Sequence, residues 1–473
     1  MELVVKNNFT QVRGRDRFKL HLIKSVLTYK TTSLRRGQGF VTEQHKLLFI
    51  KPDLGLCFPS GLLHDVLLSF RNKGEQLPQV IDNRIPPSRR ETFPWTGRFE
   101  LRDYQQDAVL SVTKPRGVET GRTIIQLPVR SGKTVIAAGL TSALELPTIY
   151  LVHSKLALAQ AADTFRQAFG AGLVSVHGGG DRDIGKITIA TVQSLHRSAR
   201  LARKLSEFDL LMVDECHHLV APRIREAVIN SNCYYKVGFS ATPYVSIRSE
   251  SEQSAIWLKA ATGPIRFRMS HGELAELGHV LMPKIFVVNV AVSKGLSGDF
   301  MERITGDVNR NLEVVRAMAG FAKARKPAAV ITSRLGHMRE LCEYAARVGV
   351  RAKAIHGGTG LDDRRRYLAK LSSGELDCVV GTVINEAVDI PKLEGVVIAE
   401  GLKSRIRAIQ RLRNLTASKG KGEPVVIDFF DRDGSILERH SHRRIAAYEK
   451  AGFKVDLKKN VSEIFERGYN SQP

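Results

Sequence analysis

Short runs of Val, Ile and Leu alternate with segments of helical character along most of this chain, and this alternation constrains the fold more than any other feature. Continuous apolar runs separated by helices are typical of parallel strands that are buried on both faces of a sheet. The first set of runs comprises Thr123–Leu127, Thr148–His153, Ile187–Val192, Leu210–Glu215 and Lys236–Thr242, and the second comprises Lys284–Val290, Ala328–Ser333, Ala352–His356, Cys378–Val383, Val396–Glu400 and Val425–Phe430. The sequence therefore predicts two consecutive α/β domains.

The segment before these two sets has a different character. It contains a predicted strand at Lys46–Ile50, a predicted helix at Ser60–Asn72 and a proline-rich exit that ends at Pro94. Residues 1–92 carry 16 Lys and Arg against 8 Asp and Glu. We expect a small α+β accessory domain at residues 1–92 that contacts DNA, with a packing or oligomerisation role as the alternative. The two α/β domains are then expected at residues 93–283 and 284–473, the second with a C-terminal tail.

The charge balance indicates a polyanionic partner. The chain has 72 Lys and Arg against 48 Asp and Glu, a net charge of +24, and clustered cations gain affinity for nucleic acid by releasing counterions. A basic surface that binds nothing is the alternative. The five cysteines lie far apart without a Cys-x-x-Cys pair, which argues against a zinc knuckle or a disulfide framework. Without a signal peptide or a long apolar run, we expect a soluble, intracellular, cytoplasmic protein (in the host cytoplasm if viral) with no membrane partner.

A phosphate-binding loop is predicted between the first apolar run and the helix that follows it. Ser131-Gly132-Lys133-Thr134 lies at this point, where backbone N–H groups of a helix N-terminus can bind phosphate, the Lys amine can reach the terminal phosphates and the Thr hydroxyl can bind Mg²⁺. Leu127 stands where the strict pattern has glycine, and Arg130 stands where such loops often have another. An accidental turn is the alternative when the loop is considered alone.

Two adjacent carboxylates follow another apolar run of the same set. Asp214 and Glu215 end the run Leu210–Glu215, and open parallel sheets bind ligands at the carboxyl ends of their strands. We expect Asp214 to hold Mg²⁺ and Glu215 to orient and polarise the attacking water. A solvated loop is the alternative for such a pair without its context.

An ordered series of motifs resembles helicase superfamily 2 of the DEAH-like, UvsW and XPB type over about residues 95–430. The matching segments are Leu101-Arg102-Asp103-Tyr104-Gln105 (the adenine-sensing Gln motif), the phosphate loop, Leu151-Val152-His153, Thr191-Val192-Gln193-Ser194-Leu195, the Asp214-Glu215-Cys216-His217 (DECH) box and Ser240-Ala241-Thr242. The resemblance implies two tandem RecA-like domains and ATP with Mg²⁺ as cofactors. It also implies a nucleotide contact for Gln105, DNA contacts for His153, Thr191 and Gln193, and coupling of the nucleotide site to DNA through Ser240 and Thr242.

Segments of the second domain continue the resemblance. Ser333-Arg334 resembles motif IV, and 381–391 resembles motif V, with Ala387 where the family usually has glycine. The resemblance implies DNA-backbone contacts for Ser333, Arg334 and Thr382, and a nucleotide contact for Asp389. A purely structural role is the alternative for each of them.

The last motif departs from the family pattern. Gln410–Ala417 lies where the family has Gln-x-x-Gly-Arg-x-x-Arg, so Asn414 and Ala417 occupy the two arginine-finger positions. An arginine finger neutralises the charge that develops on the transferred phosphoryl group. Our hypothesis is that Arg413 serves instead; Arg411, another arginine or slow hydrolysis are the alternatives, and the local arginines could equally face DNA or solvent.

The first 92 residues also resemble the small domain that precedes the motor in UvsW- and XPB-like proteins. The match lies in Phe40–Ile50 and Phe58–Leu63. It implies duplex, forked or branched DNA as partner and a helicase or translocase that acts in branch migration, recombination, repair or replication; we expect a monomer. A translocase subunit of a restriction-type complex and an RNA helicase are alternatives. A DNA-binding scaffold with a decayed nucleotide site is an alternative of another class.

Overall fold

The protein is described by a computed structural model that covers residues 1–35, 39–87, 90–114, 121–128, 131–244, 251–279, 282–292, 300–332, 334–381, 393–401, 424–432, 436–450 and 452–466. The chain forms two compact units, Met1–Met269 and Ser270–Pro473. The longest α-helix in these ranges has 16 residues, and no helix there is suited to crossing a membrane.

The first unit contains fifteen strands and nine α-helices within its described residues. Its strands are β1 (Glu2–Val5), β2 (Phe9–Arg13), β3 (Thr28–Arg35), β4 (Gly39–Lys46), β5 (Phe49–Lys51), β6 (Gly55–Pro59), β7 (Gln79–Asp82), β8 (Arg122–Gln126), β9 (Thr148–Val152), β10 (Val174–Gly178), β11 (Asp181–Arg182), β12 (Ile187–Thr191), β13 (Leu210–Val213), β14 (Tyr235–Ser240) and β15 (Ile265–Arg268). Its helices are α1 (Arg17–Val26), α2 (Leu63–Asn72), α3 (Asp103–Thr113), α4 (Lys133–Leu144), α5 (Lys155–Phe169), α6 (Val192–Arg197), α7 (Ala199–Lys204), α8 (Pro222–Asn230) and α9 (Ser251–Thr262). Short 3-10 helices lie at Ser60–Leu62, Ala171–Leu173, Leu205–Glu207 and Cys216–Val220.

Three sheets organise this unit. The N-terminal module has a five-stranded mixed sheet of order β5-β6-β2-β1-β7 and a separate hairpin of β3 and β4. The main sheet has the order β11-β10-β12-β9-β13-β14-β8-β15, and all of its strands are parallel except the short edge strand β11. Strands β9, β13, β14 and β8 are therefore neighbours whose carboxyl ends share one edge.

The N-terminal module shares a hydrophobic core with the main sheet. Buried side chains from β1 and α2 belong to the same apolar cluster as residues of α9. A Cβ atom on Gly61 would lie 2.2 Å from the backbone oxygen of Lys259, so only glycine allows this approach of the two backbones. The indole of Trp257 donates a hydrogen bond of 3.0 Å to the hydroxyl of Tyr29. The module is thus packed as part of the first unit.

The second unit contains a seven-stranded sheet with helices. Its strands are β16 (Lys284–Ala291), β17 (Ala328–Ile331), β18 (Ala352–Ile355), β19 (Cys378–Gly381), β20 (Gly395–Ile398), β21 (Val425–Arg432) and β22 (Val455–Lys458), and its helices are α10 (His271–Glu276), α11 (Phe300–Thr305), α12 (Val308–Lys323), α13 (Leu335–Arg347), α14 (Leu361–Ser373), α15 (Ile436–Lys450) and α16 (Ser462–Glu466). The order is β18-β19-β17-β20-β21-β16-β22 and every pair is parallel. Ala328 and Val330 belong to one core cluster and Ala329 and Ile331 to another, so this sheet is buried on both faces.

The architecture predicted from the apolar runs is confirmed: two parallel α/β sheets follow a small module with a mixed sheet. The predicted strand at Lys46–Ile50 is wrong in its bounds. Strand β4 ends at Lys46 and β5 begins at Phe49. Between them, the fully buried Leu47 donates its N–H to the carbonyl of Leu27 at 2.8 Å, one position beyond the last pair of the β3–β4 hairpin.

Candidate nucleotide and nucleic-acid site

Four neighbouring strands bring the predicted motifs of the first unit to one edge of the main sheet. His153 follows β9, Asp214 follows β13, and Ala241 follows β14. The N–H of Asp214 donates to the carbonyl of Leu151 at 2.8 Å, and that of Leu127 donates to the carbonyl of Ser240 at 3.1 Å. The segments that contain the sequence motifs are therefore adjacent at the carboxyl ends of parallel strands, where α/β sheets bind ligands.

The phosphate loop is held in place by helix α3. The hydroxyl of Tyr104 and the side-chain amide of Gln105 both donate to the carbonyl of Ser131, at 2.7 and 3.0 Å. Gly132 has φ 75°, and a Cβ atom there would lie 2.5 Å from the amide nitrogen of Gln105. Gly132 is thus required for its left-handed backbone and for the close approach of Gln105. The nucleotide contact predicted for Gln105 stays a prediction.

A buried lysine faces a carboxylate across the site. Lys133 is the first residue of α4, and its Nζ lies 3.4 Å from Oε1 of Glu215. This amine has no hydrogen-bond partner within the described part of the chain, and its side chain is only 8% exposed. A buried cation held by one ion pair can bind an additional anion such as a terminal phosphate.

The donor set fits magnesium-bound nucleotide. Thr134 is the second residue of α4 and Asp214 follows β13, so a hydroxyl and a carboxylate, the hard oxygen ligands that Mg²⁺ prefers, belong to this edge. Glu215 has φ 45°, a left-handed conformation that is rare for residues other than glycine. Such strain is tolerated mainly at functional sites.

An ionic contact and two hydrogen bonds connect Glu215 to the end of β14 and the segment after it. Oε2 of Glu215 lies 3.3 Å from Nδ1 of His217, and that nitrogen lies 2.9 Å from the hydroxyl of Ser240. The N–H of Thr242 donates to the same hydroxyl at 3.1 Å. Ser240 is fully buried. The structure therefore links Glu215 to the Ser-Ala-Thr segment through one imidazole.

His153 lies beside His218, the residue that follows His217. The ring centroids of His153 and His218 are 4.2 Å apart, and the amide of Gln193 donates to the carbonyl of His153 at 3.0 Å. Burial, followed by the nearby His218 and His217, lowers the pKa of His153 to about 4. His153 is therefore neutral at neutral pH and can act as a polar contact rather than as a cation.

A cationic groove adjoins His153, Thr191 and Gln193. Its volume is about 700 Å³, and its lining also includes Gly178, Gly179 and Gly180, the cations Lys155, Arg197 and Arg200 and the carboxylate of Asp181. The hydroxyl of Thr191 accepts from the N–H of Ser194 at 3.1 Å, so it caps α6. Of His153, Thr191 and Gln193, only Gln193 is exposed. Their DNA contacts stay predictions.

Several residues of this site were missed by the sequence analysis. Tyr104 holds the phosphate loop, and the glycines after β10 and the two arginines line the groove. The run Gly178-Gly179-Gly180 was a usable signal, because three consecutive glycines after an apolar run indicate a backbone that approaches a ligand closely. The hydroxyl of Tyr104 gave no such signal, since its partner is 27 positions away.

Fewer predicted residues of the second unit can be assessed. Arg334 is exposed and immediately precedes α13. The N–H of Met338 in that helix donates to the carbonyl of Arg334 at 3.0 Å. Ser333, Thr382, Asp389 and Arg413 lie outside the described residues.

The chain is similar to several known proteins. A family model described as "Type III restriction enzyme, res subunit" matches residues 98–245. The "DNA 3'-5' translocase XPB2" of Sulfurisphaera tokodaii is 25% identical over 424 residues, which cover 80% of this chain and 91% of that protein. The "ATP-dependent DNA helicase uvsW" of Enterobacteria phage T4 is 24% identical over 456 residues, which cover 86% of this chain and 88% of that protein.

A solved structure supports the fold. The "ATP-dependent Type ISP restriction-modification enzyme LlaBIII bound to DNA" matches with a TM-score of 0.57 at 15% identity, covering 77% of this chain and 32% of that one. At this identity the likeness concerns the fold alone.

Proposed function

We propose, from the premise that the chain is a superfamily 2 helicase of the UvsW- and XPB-like type, that Lys133 and Glu215 hydrolyse ATP to drive movement along branched DNA. The chain is an ATP-dependent DNA helicase or translocase. The observation that supports the site is the buried ion pair of Lys133 and Glu215, with Nζ and Oε1 3.4 Å apart at the carboxyl edge of the main sheet.

Each residue of the pair has a defined part in hydrolysis. Lys133 would neutralise charge on the terminal phosphates, and Glu215 would orient and polarise the attacking water. Thr134 and Asp214 would hold Mg²⁺, which offsets the charge that develops between the phosphates. Gly132 and Ser131 would contribute the backbone that surrounds the phosphates. Gln105 and Asp389 are proposed as further nucleotide contacts.

The hydrogen-bonded imidazole offers a route from hydrolysis to movement. His217 contacts both Glu215 and Ser240, and Ser240 orders the backbone at Thr242. A change in the charge near Glu215 would alter this chain of contacts. We therefore assign Ser240 and Thr242 to the coupling of nucleotide state to DNA contacts.

DNA would follow the cationic groove beside His153. Thr191 and Gln193 adjoin the groove, whose lining includes the cations Lys155, Arg197 and Arg200, and phosphate contacts of this kind fix the position of a strand without reading its bases. Ser333, Arg334 and Thr382 are proposed as the contacts of the second α/β domain. The N-terminal module is proposed to favour duplex, forked or branched DNA, and the active species is proposed to be a monomer.

Arg413 is proposed as the arginine finger. The proposal rests on the sequence, which has Asn414 and Ala417 at the two positions where the family has arginine. Turnover by Arg413→Ala with DNA present tests it, since loss of a finger lowers the rate by about 10³- to 10⁵-fold. Unchanged turnover by Arg413→Ala would mean that another residue is the arginine finger or that none is present.

ATPase rates on a panel of nucleic acids test the proposed function. The panel comprises single-stranded, duplex, forked and four-way DNA, with single-stranded RNA as the comparison. We expect forked or four-way DNA to stimulate the ATPase rate most. We expect Lys133→Ala to lower this stimulated rate by about 10²- to 10³-fold, because the amine no longer stabilises the phosphates. Lys450→Ala, at the exposed end of α15 and outside the proposed DNA contacts, is the matched control.

The outcomes separate the alternatives. Stronger stimulation by RNA would indicate an RNA helicase. Equal, background rates for the unaltered chain and Lys133→Ala on every nucleic acid would contradict the motor function and leave the DNA-binding scaffold.

A further inference from the structure

A buried arginine, for which the described residues provide no counter-ion, lies where the N-terminal module packs on the main sheet. Arg122 begins β8 and is 5% exposed. Neither of its terminal nitrogens has a hydrogen-bond partner in the described part of the chain. Burial, followed by the positive charge of Arg84, lowers the pKa of Arg122 to about 10, so the guanidinium remains charged at neutral pH. A buried and uncompensated charge is costly and is normally paired.

None of the described residues that line the cavity beside Arg122 supplies a negative charge. This small cavity is lined by Ser60, His64, Arg84, Arg266 and backbone and apolar atoms, and no carboxylate is among its described lining residues. The neighbouring Arg84 already has its own carboxylate partner, Asp82, at 2.6 Å. The cavity therefore concentrates positive charge.

A second buried basic side chain lies on the neighbouring strand, where burial, followed by the charge of Arg122, lowers the pKa of the Lys236 amine well below its usual value. Lys236 lies opposite Arg122 in the register of β14 and β8 and is fully buried. Its Nζ donates to the carbonyls of Val228, Ile229 and Ser231, at 2.8, 3.1 and 2.8 Å. These three carbonyls accept the hydrogen bonds of Lys236. The terminal nitrogens of Arg122, in contrast, have no acceptor among the described residues.

The size of the cavity limits what it can hold. It leaves about 10 Å³ for the centre of a water-sized particle, which is close to the space that a single bound water needs. A phosphate of a nucleic acid with its attached sugars requires an open groove. A single small ion fits these dimensions.

We propose that the cavity beside Arg122 is a binding site for one small inorganic anion of about the size of chloride. The anion pairs with the guanidinium of Arg122 and lies between the N-terminal module, through Ser60, His64 and Arg84, and the main-sheet domain, through Arg122 and Arg266. It therefore stabilises the packing of the module on that domain. The site is separate from the nucleotide site and does not depend on the proposed function.

Anomalous diffraction tests occupancy directly. Crystals of the full chain are grown with bromide in place of chloride, and the anomalous difference map is calculated at the bromine absorption edge. The proposal expects a peak within contact distance of the terminal nitrogens of Arg122. Density without an anomalous signal at this position means water and overturns the proposal, as does the absence of any density.

Thermal unfolding tests the contribution to stability. The melting temperature of the full chain is measured in chloride and in the bulky anion gluconate at equal ionic strength. We expect chloride to raise it by roughly 2–4 °C, and we expect Arg122→Met to abolish this difference. Arg71→Met, at an exposed site on α2, should retain it. A chloride effect that persists in Arg122→Met, or no effect in the unaltered chain, contradicts the proposal.

Discussion

At the scale of single residues, the candidate site depends on groups that are held in costly states. Glu215 has a positive φ of 45°, and the amine of Lys133 is buried with a carboxylate as its ionic partner. Burial, followed by the negative charges of Asp214 and Glu215, raises the pKa of Tyr150 well above its ordinary value. The phenol is therefore neutral and adds no third negative charge near the proposed phosphates. These features indicate an environment arranged for charge on a ligand.

Glu215→Gln should separate hydrolysis from nucleotide binding. The amide cannot polarise water as the carboxylate does, so we expect DNA-stimulated turnover to fall by about 10²- to 10⁴-fold. Binding of a fluorescent ATP analogue should be retained, because Lys133 still reaches the phosphates. Steady-state ATPase assays and a binding titration measure the two effects. Glu207→Gln, at an exposed position, is the control, and equal turnover by both variants would rule out the assigned part of Glu215.

At the scale of elements, buried charge also fixes the second α/β domain. Arg444 on α15 donates to Asp428 on β21 at 2.9 Å and to the carbonyl of Phe429 at 2.7 Å. Arg310 on α12 donates to Asp431 at 2.6 Å. The carboxyl-terminal half of β21 is thus tied to two helices by ion pairs that are almost fully buried.

Arg444→Met should destabilise this domain strongly. The substitution preserves apolar volume but leaves the carboxylate of Asp428 buried without its cation, and breaking a buried pair in this way costs about 3–5 kcal/mol. Urea unfolding followed by circular dichroism measures the change. Arg443→Met, one position earlier and exposed, should change stability by less than about 0.5 kcal/mol. Equal stability of the two variants would contradict this account.

A buried histidine connects α13 to α12 and should make stability depend on pH. Nδ1 of His337 lies 2.9 Å from the hydroxyl of Thr332, and Nε2 lies 2.9 Å from Oδ1 of Asn311. Burial, followed by the charge of Arg310, lowers the pKa of His337 from 6.5 to about 3. On this histidine, the unfolded chain therefore takes up a proton at a higher pH than the folded chain does. The stability that the neutral His337 contributes to the folded state is lost as pH falls from 6.5 towards 3.

The expected loss from this histidine is about 2 kcal/mol between pH 7 and pH 5. His337→Gln, which keeps a polar side chain but does not titrate, should reduce the acid dependence of the unfolding free energy by this amount. His442→Gln, at an exposed position, is the control. Urea unfolding at a series of pH values makes the measurement. An unchanged pH slope in His337→Gln would mean that other groups cause the acid loss.

At the scale of the whole molecule, the N-terminal module is not an independent attachment. It shares one apolar core with the main-sheet domain, so deleting residues 1–92 would expose buried side chains as well as remove any DNA contact. A truncated chain that binds forks weakly would be ambiguous for this reason. Point substitutions at exposed cations provide a cleaner test of which surfaces bind DNA.

The surplus charge of +24 predicts DNA binding that weakens steeply with salt. Each phosphate contact contributes a slope of about −0.7 to the dependence of log K on log[salt] for a single strand. Replacing Arg197 and Arg200 by alanine together should therefore make the slope shallower by about 1 to 2. Fluorescence anisotropy across a salt series measures it. Replacing the exposed Arg347 and Arg443 is the control, and an equal change in both double variants would indicate binding to diffuse charge rather than to the groove.

The sequence by itself determined the architecture and the order of the motifs. Runs such as Leu210–Val213 predict buried parallel strands because every position is apolar, and the motifs follow the strands at which they were expected. Its errors lay in the shorter strands: β10, β11, β15 and β22 were not predicted, nor were β1, β2, β3, β6, β7 and most of β4 in the N-terminal module, and Lys46–Ile50 was taken as one strand. The pairing of such short strands depends on partners that are distant in the sequence.

Only the tertiary structure decided how the side chains meet. Lys133 and Glu215 are far apart along the chain, and their approach to 3.4 Å follows from the order of β8, β14 and β13 in the sheet. The same packing brings the amide of Gln105 to the carbonyl of Ser131, lowers the pKa of His153 and leaves the terminal nitrogens of Arg122 buried without a hydrogen-bond partner among the described residues. Local patterns specify which faces are apolar, but distances, burial and charge pairing arise from contacts between remote segments, and these determine the chemistry of a site.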